Sequence, residues 1–72
     1  MPFVNIKLIE GTLSEEKKKE MITKVTDAVV SVEGENLRPV TWVVLEDVKS
    51  GDWGIAGKGY TTEDVIALAK GS

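Results

Sequence analysis

Two segments of this chain are patterned as strands, and a single helix lies between them. FVNIKLI at 3–9 alternates with period two, placing Val4, Ile6 and Leu8 on one face and Phe3, Asn5, Lys7 and Ile9 on the other. VTWVVLEDV at 40–48 is β-branched, aromatic and almost continuously apolar, as a strand buried on both faces should be. Between them Ser14 reads as an N-cap, with Glu15 and Glu16 complementing the helix dipole in the first turn. Met21, Val25, Ala28, Val29 and Val32 then recur at helical spacing as one apolar stripe, and Gly34 is the stop signal. Strand, helix and strand with short links make a βαβ unit, whose crossover is right-handed and whose strands run parallel. The expected fold class is therefore α/β: a single βαβ unit with two parallel strands and one long helix. The polar turn at Glu35–Asn36 and the Arg38-Pro39 pair lead into the second strand. Beyond it, glycine-dense KSGDWGIAGKGY at 49–60 predicts a loop or short hairpin, extended at Trp53–Ile55. Thr62 is expected to cap a final short helix from Glu63 to Lys70.

Such a unit does not close its own core. With 72 residues it makes one domain, 1–72, without internal repeats, and a chain of this size buries only about 60% of its unfolded surface. One helix covers one face of a two-stranded sheet and leaves the other face and both edges open. Small domains offset this with disulfides, metals or partner subunits. The chain has no cysteine, which excludes disulfides and thiolate chemistry, and no histidine, the usual zinc ligand. Phe3, Ile9, Trp42 and Trp53 are thus expected to meet further copies of the same chain, with Trp42 as a core residue.

The charge balance narrows the partners. The formal net charge is −3, and the one basic run, Lys17–Lys19, lies among glutamates as a solvated helix face does, so no nucleic-acid surface is expected. No apolar run approaches the roughly 18 residues of a membrane span, and the N-terminus lacks a signal-peptide layout. A soluble, cytoplasmic protein is the expectation.

Few residues can carry chemistry. GKGYTT at 57–62 lacks the glycine a phosphate loop needs at position 52, which is Asp, and has Gly59 where Ser or Thr must follow the lysine. Glu46 and Asp47 adjoin on a strand, point to opposite faces and cannot share a metal, so no metal site is expected. Pro2 remains. Proline is tolerated at the first residue of a strand, since it has no N–H for the ladder. If Met1 is removed, however, Pro2 carries a free secondary amine fixed by the strand behind it. An α-amino group titrates near ~8, and burial or a neighbouring cation, for which Lys7 is a candidate, lowers that value. A base poised near neutrality suits proton abstraction beside a carbonyl. With Met1 retained, the same nitrogen is a tertiary amide with no basicity.

Pro2 after the initiator Met, the strand ending LIEG, a helix of this length and the stretch WGIAG at 53–57 together resemble the 4-oxalocrotonate tautomerase family, from Pro2 to about Gly59. That resemblance implies a cofactor-independent isomerase whose amino-terminal proline moves a proton between carbon and oxygen or along a dienol, in aromatic compound catabolism. It also implies βαβ units paired into dimers with a four-stranded sheet, three dimers forming a homohexamer, and an active site between subunits. Trp53 corresponds to its aromatic wall, and Ile9 flanks the proline.

The chain departs from the family at the substrate-binding positions. An arginine that holds a substrate carboxylate follows the Glu-Gly in the best-known members, and here that place is Thr12. A second arginine, early in the second strand, is replaced by Thr41. Arg38 and Lys7 are the candidates to supply positive charge from new positions. A dicarboxylate is therefore not the expected substrate, and monoacids or aromatic enols are. Where dehalogenating relatives place a water-activating glutamate this chain has Ile55, which leaves hydration or dehalogenation as an alternative. A non-catalytic oligomeric binding protein of the same fold is another.

Overall fold

A computed structural model describes residues 1–71. Strand β1 (Phe3–Ile9) pairs in parallel with β2 (Trp42–Val48), Phe3 opposite Trp42 and Ile9 opposite Val48. The ladder runs past both strand ends. The Trp42 N–H donates to the Pro2 carbonyl (3.0 Å), and the Glu10 N–H to the Val48 carbonyl (2.8 Å). Helix α1 (Glu15–Glu33) connects them, its first turn capped by Ser14 Oγ, which accepts from the Lys17 N–H at 3.2 Å. It ends at Gly34, whose φ of 107° suits glycine. One sheet face meets this helix, as the ion pair of Lys18 with Asp47 (2.8 Å) records. The hydrogen bond to Asp47 is the main reason the Lys18 ammonium is held above its ordinary pKa.

The structure corrects the sequence reading of the helices and strands in three places. The segment Glu35–Val40 is a 3₁₀ helix with Pro39 inside it, so the second strand begins at Trp42 rather than at residue 40. Proline's fixed φ suits that tight helix. Second, the apolar stripe of α1 centres on Met21, Val25, Val29 and buried Val30, while Ala28 and Val32 are exposed. The 3₁₀ helix lies along the side of α1 that carries Asp27 and Val30, with Arg38 reaching Asp27 at 2.8 Å, and leaves Val32 uncovered. Third, the cap of the last helix, α2 (Thr62–Ala69), is Thr61 and not Thr62. Thr61 Oγ1 accepts from the Asp64 N–H (3.2 Å) and the Asp64 carboxylate accepts from the Thr61 N–H (2.9 Å). This capping box needs an acceptor three residues beyond the cap, which Thr62, followed by Val65, does not have.

Between β2 and α2 the chain forms an antiparallel hairpin, β3 (Trp53–Ile55) with β4 (Lys58–Tyr60). Its two-residue turn, Ala56-Gly57, has positive φ at both positions (53° and 83°), which matches the twist of a hairpin.

Burial is lopsided along the sheet face that α1 does not cover. Phe3 at one end is 61% exposed, and Ile9 at the other is 5% exposed. Trp42, expected in the core, is 57% exposed and lies beside Phe3 with ring centroids 6.3 Å apart. Among the described residues the two rings stay more than half exposed despite that contact.

The cap of α2 makes its order testable. The Thr61 backbone and then its hydroxyl hold the Asp64 carboxyl below its ordinary pKa. The stabilisation that follows is present above the ordinary aspartate range and is lost as pH falls through the lowered value. Thr61→Ala should cost α2 about 1 kcal/mol. Amide exchange should show α2 opening more readily in that variant at neutral pH, and in the native protein only on acidification.

Candidate active site

The parallel topology sorts the candidate residues to two ends of the sheet. Pro2, Thr41 and Arg38 lie at the end where β1 and β2 start. The Pro2 carbonyl is tied into the ladder by the Trp42 N–H, the Thr41 N–H donates to the Arg38 carbonyl (3.2 Å), and Met1 is 82% exposed. Lys7, Ile9, Thr12 and Trp53 lie at the other end, around a pocket of about 240 Å³. A strand rises about 3.3 Å per residue, so Pro2 and the Ile9 end are separated by roughly 20 Å within one chain.

Charge at both ends is already partnered. The Arg38 guanidinium donates to Asp27 (2.8 Å) and Glu35 (3.1 Å), and these bonds raise its pKa above the ordinary arginine value, Asp27 contributing most. Lys7 Nζ lies 3.8 Å from Glu46, which also accepts a short hydrogen bond from Asn5. Glu46 and Asp47 face opposite sides of the sheet, one toward Lys7 and the other toward Lys18. Both threonines at the former arginine positions donate their one hydroxyl proton to backbone, Thr12 to the Ile9 carbonyl (2.7 Å) and Thr41 to the Leu37 carbonyl (2.9 Å).

A polar junction assembles the pocket. The Glu10 carboxylate accepts from the Ser50 N–H (3.2 Å), and Ser50 Oγ accepts from the Thr62 N–H (2.9 Å). Thr62 Oγ1 donates to the Glu10 carbonyl (2.6 Å). Three segments far apart in sequence thereby meet just past Ile9. Gly59 lets the hairpin pack tightly on this junction, because a Cβ there would stand 2.7 Å from the Gly51 carbonyl oxygen. Thus held, Trp53 and Ile55 of β3 and Tyr60 of β4 wall the pocket, with Val65 and Leu68 of α2 closing it. Of these only Trp53 is singled out by sequence for a place in the site. Val65 and Leu68 stand three apart on a short amphipathic helix, a spacing that ordinary packing produces equally well.

A family model described as "Tautomerase enzyme" matches residues 2–63. The chain belongs to the tautomerase family. Curated relatives agree: a protein named "Probable tautomerase" from Staphylococcus aureus (strain Mu50) is 46% identical over 57 residues, 79% of this chain and 90% of the relative. Another of that name from Dickeya dadantii is 38% identical over 61 residues, 85% of this chain and 90% of the relative. A solved 4-oxalocrotonate tautomerase isozyme from Methylibium petroleiphilum superposes with a TM-score of 0.70 at 35% identity, covering 89% of this chain and 97% of that one. TomN, a 4-oxalocrotonate tautomerase homologue in the tomaymycin biosynthetic pathway, shares the fold over 99% of this chain and 100% of its own (TM-score 0.74, 20% identity). Tautomerase chemistry is thus the function the family assigns. The tautomerase match begins at Pro2 and stops short of Val65 and Leu68.

The close backbone approach at Gly59 gives a check on how the pocket wall is held. Gly59→Ala forces the hairpin away from Gly51 and should cost roughly 1–3 kcal/mol, as overpacking does. The near-UV circular dichroism of Trp53 should weaken while the far-UV signal of α1 persists.

Proposed function

We propose that this protein interconverts enol and keto, or dienol and enone, forms of a small enol or 2-keto-acid-type substrate. Pro2, freed by removal of Met1, is the general base and then the general acid, with no cofactor. Its amine takes the proton from the enol oxygen, the C=O double bond forms as the C=C bond shifts, and the protonated proline returns that proton to carbon. The proton balance closes on one group. The working form is a homo-oligomer, a hexamer built as a trimer of dimers, in which Pro2 of one copy faces the Trp53 pocket of another.

The observation that carries this reading is the separation of Pro2 from the pocket along one seven-residue strand. A base and a binding pocket roughly 20 Å apart act on one substrate only if they come from different copies. Exposed Phe3 and Trp42 supply apolar surface for the same assembly, beside the base rather than beside the pocket. Exposed Met1 leaves its peptide bond open to an aminopeptidase, and the family match starts at the residue this would uncover.

Turnover of phenylenolpyruvate by the processed protein, followed in the ultraviolet, is the direct test. A residue added before Pro2, or retention of Met1, should abolish activity and leave the oligomer mass unchanged. Native-rate ketonisation by such an extended protein would place the base elsewhere. Pro2→Ala keeps a primary amine in a looser position, so a partial loss within the ~10²–10⁴-fold range of positioned bases is expected.

Light scattering supplies an independent check. It should find multiples of the 7.8 kDa chain at micromolar concentration, and a folded monomer would remove the composite site. A processed oligomer that binds enols without turning them over would instead be a binding protein.

A further inference from the structure

We infer that Val65 and Leu68 of α2 are specificity-determining residues, and that they fit the pocket to a monocarboxylate bearing an aryl or branched alkyl group. This rests on the reading of the pocket as the substrate site and goes beyond it by naming what the far wall recognises.

The lining has one cationic group, Lys7 on the β1 side, which a bound carboxylate would share with its exposed 3.8 Å partner Glu46. Thr12 has donated its only hydroxyl proton to the Ile9 carbonyl, so what it can present to the pocket is lone pairs, which repel a carboxylate. The remaining donors are neutral, the Trp53 indole and the Tyr60 phenol. The rest of the lining is hydrocarbon, with Ile55, Val65 and Leu68 supplied by the hairpin and α2. A second carboxylate placed there would lose its water and gain no charge-assisted partner, a cost no neutral donor offsets. An apolar substituent would gain from the same surface.

Size agrees. The pocket holds about 240 Å³. An apolar cavity of about 150 Å³ already accepts benzene in a well-studied engineered protein, so a ring and a short acid chain fit here. The wall is also anchored rather than loosely draped. α2 starts on its capping box, and Thr62, its first residue, is bonded to both Glu10 and Ser50. Both wall residues lie beyond the stretch the family model matches.

Isothermal titration of the processed, full-length protein with 3-phenylpropanoate and with hexanedioate tests this without turnover. The aryl monoacid should bind at least about 10-fold more tightly than the dicarboxylate. Leu68→Ala removes three carbons from a side chain that is 65% exposed, and should narrow that preference by about 5- to 10-fold. Leu68→Met, which keeps the volume, should retain most of it. Equal affinities, tighter hexanedioate, no binding of either ligand, or a Leu68→Ala variant that keeps the native preference would each overturn the assignment. A pocket filled by a neighbouring subunit's side chain would appear as the no-binding result. Phenylenolpyruvate turnover separates the two readings. Aryl-selective binding without turnover leaves the wall standing and sinks the proton-transfer reading, whereas turnover without selectivity sinks the wall alone.

Discussion

The parallel pairing of β1 with β2 is the constraint from which the rest of the layout follows. Parallel strands cannot be joined by a tight hairpin, so the chain must leave β1 at Ile9 and travel back along α1 before β2 can begin. β2 then returns to the end at which β1 finished. Everything after Val48 is therefore built beside Ile9, and everything before Phe3 is left at the opposite end. Separation of Pro2 from the pocket is a consequence of topology, with no individual side chain responsible. The site shared between copies that we propose is an answer to that separation.

The two ends are finished by different physics. At the Ile9 end a few directional hydrogen bonds among Glu10, Ser50 and Thr62 pin down the segment that carries the hairpin and α2, whose hydrocarbon side chains line one pocket with Ile9. Hydrogen bonds of this kind contribute about 1 kcal/mol each, so their main effect is to choose one placement of the segment among many. At the Pro2 end Phe3 and Trp42 are left exposed among the described residues. Arg38, the one arginine, is held there by two carboxylates of its own chain and would have to exchange one of them to reach a substrate.

Much of this was legible in the residues. Period-two alternation gave β1, and helical spacing with Ser14 and Gly34 gave α1 to the residue at both ends. Local errors arose where two patterns compete. Thr61 and Thr62 are both acceptable caps by residue type, and only the position of Asp64 decides between them. Val40 and Thr41 are good strand formers, yet Pro39 and the hydrogen bonds of the Thr41 hydroxyl and N–H to Leu37 and Arg38 keep them in the preceding turn. Val32 fits the apolar stripe of α1 by angle alone, but among the described residues it stays 88% exposed.

What the sequence alone determined is the two main strands, the long helix and the parallel sense of the sheet, and it nominated Pro2 and Trp53 as candidate site residues. These depend on neighbours within a few positions or on a spacing that one helix or strand imposes. Only the tertiary structure decided which residues share a pocket, that the threonines at 12 and 41 spend their protons on backbone carbonyls, and that the last helix forms a wall. The pocket and its wall rest on hydrogen bonds across about 40 to 50 residues, from Glu10 to Ser50 and from Thr62 back to Glu10, and no local pattern encodes a contact at that range. The two threonine hydroxyls bond only three and four residues back, to Ile9 and Leu37, but residue type alone does not choose between a backbone acceptor and an open pocket.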